Sequence, residues 1–237
     1  MEEHAIIPPK QRAVDSGIPD HLFQVPFRLV IYGVSSSGKG VLLNNLLGHG
    51  DRFPYKNLFK KNVFIFSETF RLGDPSFVDL DHLPEDRIIN GYREDVIRQI
   101  WDEQDKIIKQ YGKSKAPHIC ILFDDTMTSL SQAKQSLLNR LFFQGRHSKI
   151  STIITSQHYG TVPKSVRLNA DSSIFFSMNT KQALIAGEEQ VIDPHEFVAF
   201  LRAATEESFS FLTVMYKHPV ATRYQLRLTG KYFEAAS

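Results

Sequence analysis

Short continuous apolar runs alternate along this chain with longer stretches whose apolar residues recur at helical spacing. FRLVIY (residues 27–32) is followed by the small-residue segment GVSSSGKG and then by VLLNNLL, whose leucines fit a helix. That order predicts strand, tight loop, helix. NVFIFS (62–67) predicts a second buried strand, and residues 92–111 carry Val96, Ile97, Ile100, Trp101, Ile107 and Tyr111 as a core-facing helical stripe. HICILFDD (118–125) is a continuous apolar run ending in two acids, as suits a central parallel strand covered on both faces. Ser131 can cap a helix whose Ala133, Leu137, Leu138 and Leu141 face inward, and STIITSQ (151–157) predicts the next strand. SSIFFSM, a helix over 197–204, FSFLTVMY and TRYQLRL, with a turn at His218 and Pro219, complete an α/β layer architecture. Residues 1–24 mix Pro8, Pro9, Gly17 and Pro19 with charges and keep no period. They predict an N-terminal arm, able to contact a neighbouring subunit, ahead of a single domain over 25–237.

The residue inventory narrows the class. With 237 residues, 42% of them hydrophobic, the chain can fill one sizeable core but not two. The single cysteine, Cys120, lies in an apolar run, which excludes a disulfide framework and a paired-cysteine metal site and points to a reducing compartment. The nine histidines show no ligand spacing. No segment approaches about 18 uninterrupted apolar residues, so no membrane-spanning segment is expected, and the start lacks the apolar stretch of a secretory signal. A net charge of +2 neither announces nor opposes nucleic-acid binding. The lysines at 60, 61, 106, 109, 113 and 115 read best as a solvated face.

Gly33, Val34, Ser35, Ser36, Ser37, Gly38 and Lys39 fit G-x-x-x-x-G-K between a predicted strand and a predicted helix. Small residues let successive backbone N–H groups point into one concavity, the helix start adds positive potential, and the lysine reaches terminal phosphates. A solvated Ser/Gly turn is the competing reading, and the flanking elements favour phosphate. With Gly40 and Val41 at the helix start, these residues form the candidate nucleotide-binding set, the fold being a P-loop NTPase. Gly40 departs from the motif, which has Ser or Thr there to bind Mg²⁺ through a hydroxyl. Either a water takes that place, which magnesium tolerates, or hydrolysis is impaired.

Asp124 and Asp125 end the central strand as a Walker B pair does. The first would hold Mg²⁺, and the second would accept a proton from the attacking water or orient it. Aspartate is one methylene shorter than the usual glutamate. Gln157, ending the next strand, would sit between loop and acids, where an amide touches both γ-phosphate and water. Arg146, in GRHSK, is the candidate arginine finger, with Arg167 as its rival.

These motifs together, GVSSSGKGVLL, ILFDD and LFFQGRHSKISTIITSQHYGTVPKSVRLNADSSIFF, resemble the viral genome-packaging ATPases of the FtsK/HerA superfamily, in their poxvirus-type branch. The family pattern has a short helix after Walker B, an Arg-His pair, a strand ending in a sensor glutamine, and then proline, arginine and asparagine. Here those are Arg146, His147, Gln157, Pro163, Arg167 and Asn169. The resemblance covers roughly residues 27–180. It implies a RecA-like, additional-strand, three-layer sandwich with a mostly parallel sheet and ATP with Mg²⁺ as ligands. It further implies a homo-oligomeric ring, pentamer or hexamer, around double-stranded DNA, with hydrolysis at subunit interfaces. Capsid or portal-vertex proteins would be the partners, and the host cytoplasm, viral factory or virion the location.

Two other readings stand beside this one. A cellular P-loop ATPase such as a helicase loader would show DNA-stimulated hydrolysis without moving duplex DNA. A nucleotide-gated assembly protein, motivated by Gly40, would bind ATP and barely turn it over. A small-molecule kinase fits less well, since no lid-like insertion or acceptor site is legible.

Overall fold

Among the residues that the computed structural model describes (17–48, 50, 52–70, 75–126 and 132–235), strands and helices alternate along most of the chain. The first half gives β1 (Arg28–Tyr32), α1 (Lys39–Gly48), α2 (Tyr55–Phe59), β2 (Val63–Ser67), β3 (Ile88–Asn90), α3 (Glu94–Tyr111) and β4 (Ile119–Asp124). The second half gives α4 (Gln132–Gln144), β5 (Ile150–Ser156), α5 (Lys164–Arg167), β6 (Ser172–Phe175), α6 (Thr180–Gly187) and α7 (Pro194–Ala204). It closes with β7 (Leu212–Met215), α8 (Val220–Arg223), β8 (Tyr224–Leu226) and β9 (Lys231–Tyr232).

The strands form one sheet in the order β3-β2-β4-β5-β1-β6-β7-β8-β9. Its first six strands are parallel and the remaining three add on antiparallel. β5 therefore stands between β1 and β4. Its register sets Tyr32 opposite Ser156 and Phe123 opposite Ile154, so the carboxyl ends of all three strands open on one edge. In an open parallel sheet this is the edge where ligands bind.

Both faces of the sheet are covered, which is why its central strands read as unbroken apolar runs. Leu29 and Ile31 of β1 face α1 and α2, packing with Leu43, Leu47 and Phe59. Val30 and Tyr32 face the other way, into a core with Ile97, Leu138, Leu141 and Phe197 from α3, α4 and α7. The result is the three-layer α/β sandwich of a P-loop ATPase. Each of these fully buried side chains stabilises the fold by roughly 1.5–3 kcal/mol.

The predicted stripe on α3 is narrower in the structure. Ile97, Ile100 and Trp101 are buried, Val96 and Ile107 are partly covered, and Tyr111 is 56% exposed on the final turn. Gln104 takes the buried place instead, because its Nε2 donates to the carbonyls of Pro117 (2.8 Å) and Ser148 (2.9 Å). A polar side chain is admitted to this face since both donor hydrogens find partners. α7 starts earlier than expected, at Pro194, with the Asp193 side chain accepting from the N–H groups of His195 and Glu196. α2, α6 and the short β3 were not anticipated.

Of the expected arm, residues 17–24 are described. Ile18, Leu22 and Phe23 are buried against the α1/α2 face, and the Phe23 N–H donates to the Tyr55 hydroxyl at 2.7 Å. Residues 1–16 lie outside the described residues, as does the proposed cap Ser131 together with the side chain of Ala133.

Candidate functional site

The loop between β1 and α1 wraps tightly because two of its positions permit it. At Gly33, an added Cβ would run into Ser37 Oγ and come within 2.9 Å of Phe176 Cβ. Gly38 holds φ +106°, a conformation L side chains rarely adopt, and Ser36 turns left-handed at φ 59°. Val34, Ser35 and Ser36 face solvent, while Lys39 is buried. Its Nζ donates to the carbonyls of Gly33 (2.6 Å) and Val34 (3.1 Å). The ammonium thus stands inside the curl of the loop, 4.0 Å from Asp125 Oδ2. Gly40 and Val41 follow in the first turn of α1, where N–H groups lack helical partners and the dipole favours an anion.

At the neighbouring strand ends, hydroxyls from both sides hold the first acid. Thr155 Oγ1 donates to Asp124 Oδ1 at 2.8 Å, and Ser67 Oγ donates to Asp124 Oδ2 at 3.1 Å. Burial pushes the Asp124 carboxyl above its usual range and the nearby Asp125 charge adds to this, while both hydroxyls and Lys39 pull the other way. Asp125 sits in the left-handed region at φ 50°, its N–H donating to Thr155 Oγ1 at 2.9 Å. That turn breaks the strand and swings the second carboxylate towards Lys39. Gln157 Nε2 donates to Asp125 Oδ2 at 3.1 Å. Lys39, Asp125 and Gln157 therefore share one carboxylate oxygen, with Asp124 immediately behind.

Asp125 Oδ1 and Ser37 Oγ are buried with no hydrogen-bond partner among the described residues. An unpartnered buried carboxylate oxygen on Asp125 beside the hydroxyl-held carboxylate of Asp124 is a donor set that suits a hard divalent cation with its waters. Among the described residues no group of three or more His, Cys, Asp or Glu forms a self-sufficient metal centre. Any cation here would complete its shell with water and ligand oxygens.

The two arginines fare differently. Arg146 is exposed on a 3₁₀ turn (Gly145–Ser148) that leads into β5. The Ile119 N–H bonds the carbonyl of Lys149, which places this turn level with the start of β4, at the opposite sheet edge from Asp124. The fold does not bring Arg146 to this site. Arg167 is committed internally: it pairs with Glu189 Oε1 at 2.5 Å, donates to the Val162 carbonyl at 2.6 Å and lies 4.5 Å over the Tyr159 ring.

Thr155 and Ser67 were missed by sequence reasoning. Only the strand register singles them out: Thr155 lies near the end of β5 beside Asp124, and Ser67, the last residue of β2, is in register with Asp124.

The family model described as Poxvirus A32 protein matches residues 18–192. The DNA packaging protein OPG160 of Variola virus is 26% identical over 166 residues, covering 69% of this chain and 58% of that protein. The protein of the same name from Monkeypox virus is 26% identical over the same length, covering 52% of its own. This chain thus spans little more than half the length of the curated relatives it matches. Among solved structures, B204, the DNA-packaging ATPase from Sulfolobus Turreted Icosahedral Virus, superposes with a TM-score of 0.56 at 16% identity. The superposition covers 81% of this chain and 93% of that one. The B204 packaging NTPase of Sulfolobus turreted icosahedral virus 2, in complex with ATP-gammaS, gives 0.53 at 15% identity. These likenesses carry the fold. With the family match spanning most of the domain, the chain belongs to the Poxvirus A32 protein family.

Proposed function

We propose that this chain is an ATP-hydrolysing motor subunit that moves double-stranded DNA into a viral capsid. The observation that carries the reading is the convergence of Lys39, Asp125 and Gln157 on one carboxylate oxygen at the mouth of a glycine-built loop, with Asp124 behind. The naming of relatives as DNA packaging proteins supports the choice among P-loop functions.

In this proposal Lys39 leaves the Gly33 and Val34 carbonyls to meet the terminal phosphates. Asp124, kept in place by Thr155 and Ser67, would hold Mg²⁺, with water in the place that the motif's hydroxyl takes elsewhere. Magnesium bound with the nucleotide would supply neutralisation of the phosphate charge. Asp125 accepts the proton of the attacking water, and Gln157 orients that water and reports the γ-phosphate. Arg146, unable to reach its own site, acts on that of the next subunit in a homo-oligomeric ring. The ring would work on double-stranded DNA at a capsid vertex, in the host cytoplasm or viral factory.

The test is steady-state ATP hydrolysis with and without double-stranded DNA, for the chain as given, Lys39→Ala and Gly40→Ser. DNA-stimulated turnover that Lys39→Ala abolishes is expected. Gly40 also favours a second reading, a nucleotide-gated assembly protein. Tight ATP binding with no turnover in the given chain or in Gly40→Ser would select it and sink the motor.

A further inference from the structure

Beside the phosphate loop lies a cavity of about 410 Å³ that Lys39, the two acids and Gln157 do not line. It begins at Gly38 and Val41 and runs outward along α1 to the loops around Phe209 and Arg227. Its size is that of a small-ligand site. Two aromatic rings meet at its inner end: Phe176 and Phe209 both come within 3.4 Å of where a Cβ on Gly38 would stand. Phe176 is buried, whereas Phe209 is 70% exposed and sits at φ +61°, a conformation rarely adopted by a bulky residue. Val41, 57% exposed, forms the facing wall from α1. An apolar side chain left in water on a strained backbone, against the loop that would hold phosphates, has the form of a stacking platform.

We propose that this cavity is the nucleobase subsite, in which Phe209 stacks on a purine whose phosphates lie in the loop. The inference rests on the phosphate-binding reading above. Both arginines of the rim are already engaged. Arg227 donates to Ser210 Oγ (2.9 Å) and Glu207 Oε2 (2.6 Å), and Arg52 donates to Asn45 Oδ1 (3.2 Å). The described lining residues include no carboxylate to select an exocyclic amino group. Recognition is therefore by the purine face and not by its edge: adenine and guanine bind alike, and the base adds affinity through stacking.

Calorimetric or fluorescence titration with ATP, GTP and inorganic tripolyphosphate tests this in the full chain, Phe209→Ala and Phe209→Trp. Alanine substitution under a stacked base costs about 1–3 kcal/mol, so Phe209→Ala should weaken ATP and GTP by about tenfold, leave tripolyphosphate unchanged, and be rescued by Phe209→Trp. ATP affinity equal to that of tripolyphosphate and indifferent to Phe209→Ala would overturn the subsite while leaving the phosphate loop standing. A preference for ATP over GTP beyond about a hundredfold would overturn recognition by stacking. Failure of the unaltered chain to bind any of the three ligands would overturn the phosphate reading itself, and the subsite with it.

Discussion

Thr155 and Asp124 stand side by side on neighbouring strands, the threonine hydroxyl donating to Asp124 Oδ1 at 2.8 Å while accepting the N–H of Asp125 at 2.9 Å. One hydroxyl thereby fixes both acids: the side chain of the first and the backbone turn of the second. Its removal leaves a buried carboxylate short of a donor and a strained turn short of its anchor.

Thr155→Val keeps the shape of the side chain and removes both bonds. Hydrogen bonds to charged groups contribute about 1.5–3 kcal/mol, and urea denaturation should show a loss in that range. Nucleotide turnover should fall more steeply than stability, and Thr155→Ser should restore both. A Thr155→Val chain with unaltered turnover would show that the acids hold their places without it.

The two arginines should separate cleanly. Arg146 is exposed, so Arg146→Ala should leave stability within about 0.5 kcal/mol, while lowering hydrolysis on the order of a thousandfold if it serves a neighbour. Arg167→Ala leaves Glu189 half-buried with the Tyr159 hydroxyl but without its guanidinium, and should destabilise by about 1–3 kcal/mol. Mixing Arg146→Ala chains with Lys39→Ala chains should rescue part of the activity, since some interfaces then combine an intact finger with an intact loop. Absence of any rescue would argue against action across subunits.

Gly33→Ala should abolish nucleotide binding. The added methyl meets Phe176 Cβ and Ser37 Oγ, so the loop must shift from the curl that holds Lys39. Overpacking of this kind costs roughly 1–3 kcal/mol, which a thermal melt would register. Retained ATP binding in a correctly folded variant would place the phosphates elsewhere.

Acid should weaken the fold through His118. Burial, helped by the Lys149 charge, pushes its imidazole down to about 4 from an ordinary value near 6.5. The unfolded chain then takes the proton first, so stability is full above pH 6.5 and is lost as the pH falls from there towards 4. His118 is only half-buried, and solvent screening reduces the effect to about 1 kcal/mol. Urea midpoints at pH 7 and pH 5 should differ by less in His118→Asn than in the unaltered chain.

The sheet was legible because burial on both faces writes apolar runs into β1, β2, β4, β5 and β6, and the loop was legible because Gly33, Gly38 and Lys39 answer to steric and electrostatic demands that few residues meet. The elements that escaped are short or polar. β3 carries only Ile88 and Ile89 before Asn90, and α6 begins on a cap, Asn179, that follows no clear period. Gln104 escaped since its burial depends on two carbonyls, from Pro117 and Ser148, that only the folded chain assembles. Ser67 and Thr155 look like ordinary strand ends until the strand order sets them on either side of Asp124. Arg167 could be weighed against Arg146 only once Glu189, 22 positions away, was seen to hold it.

The placement of β5 between β1 and β4 makes that strand a gauge block for the site. It separates the end of β1 from the end of β4 by two strand spacings, about 9.6 Å, and Thr155 and Gln157 at its carboxyl end bond the two acids from that middle position. A slip of one residue along either neighbour would turn Thr155 and Gln157 to the far face of the sheet and present Ile154 and Ser156 in their stead. Loop and acids would both survive such a slip intact, yet they would no longer be gauged against each other.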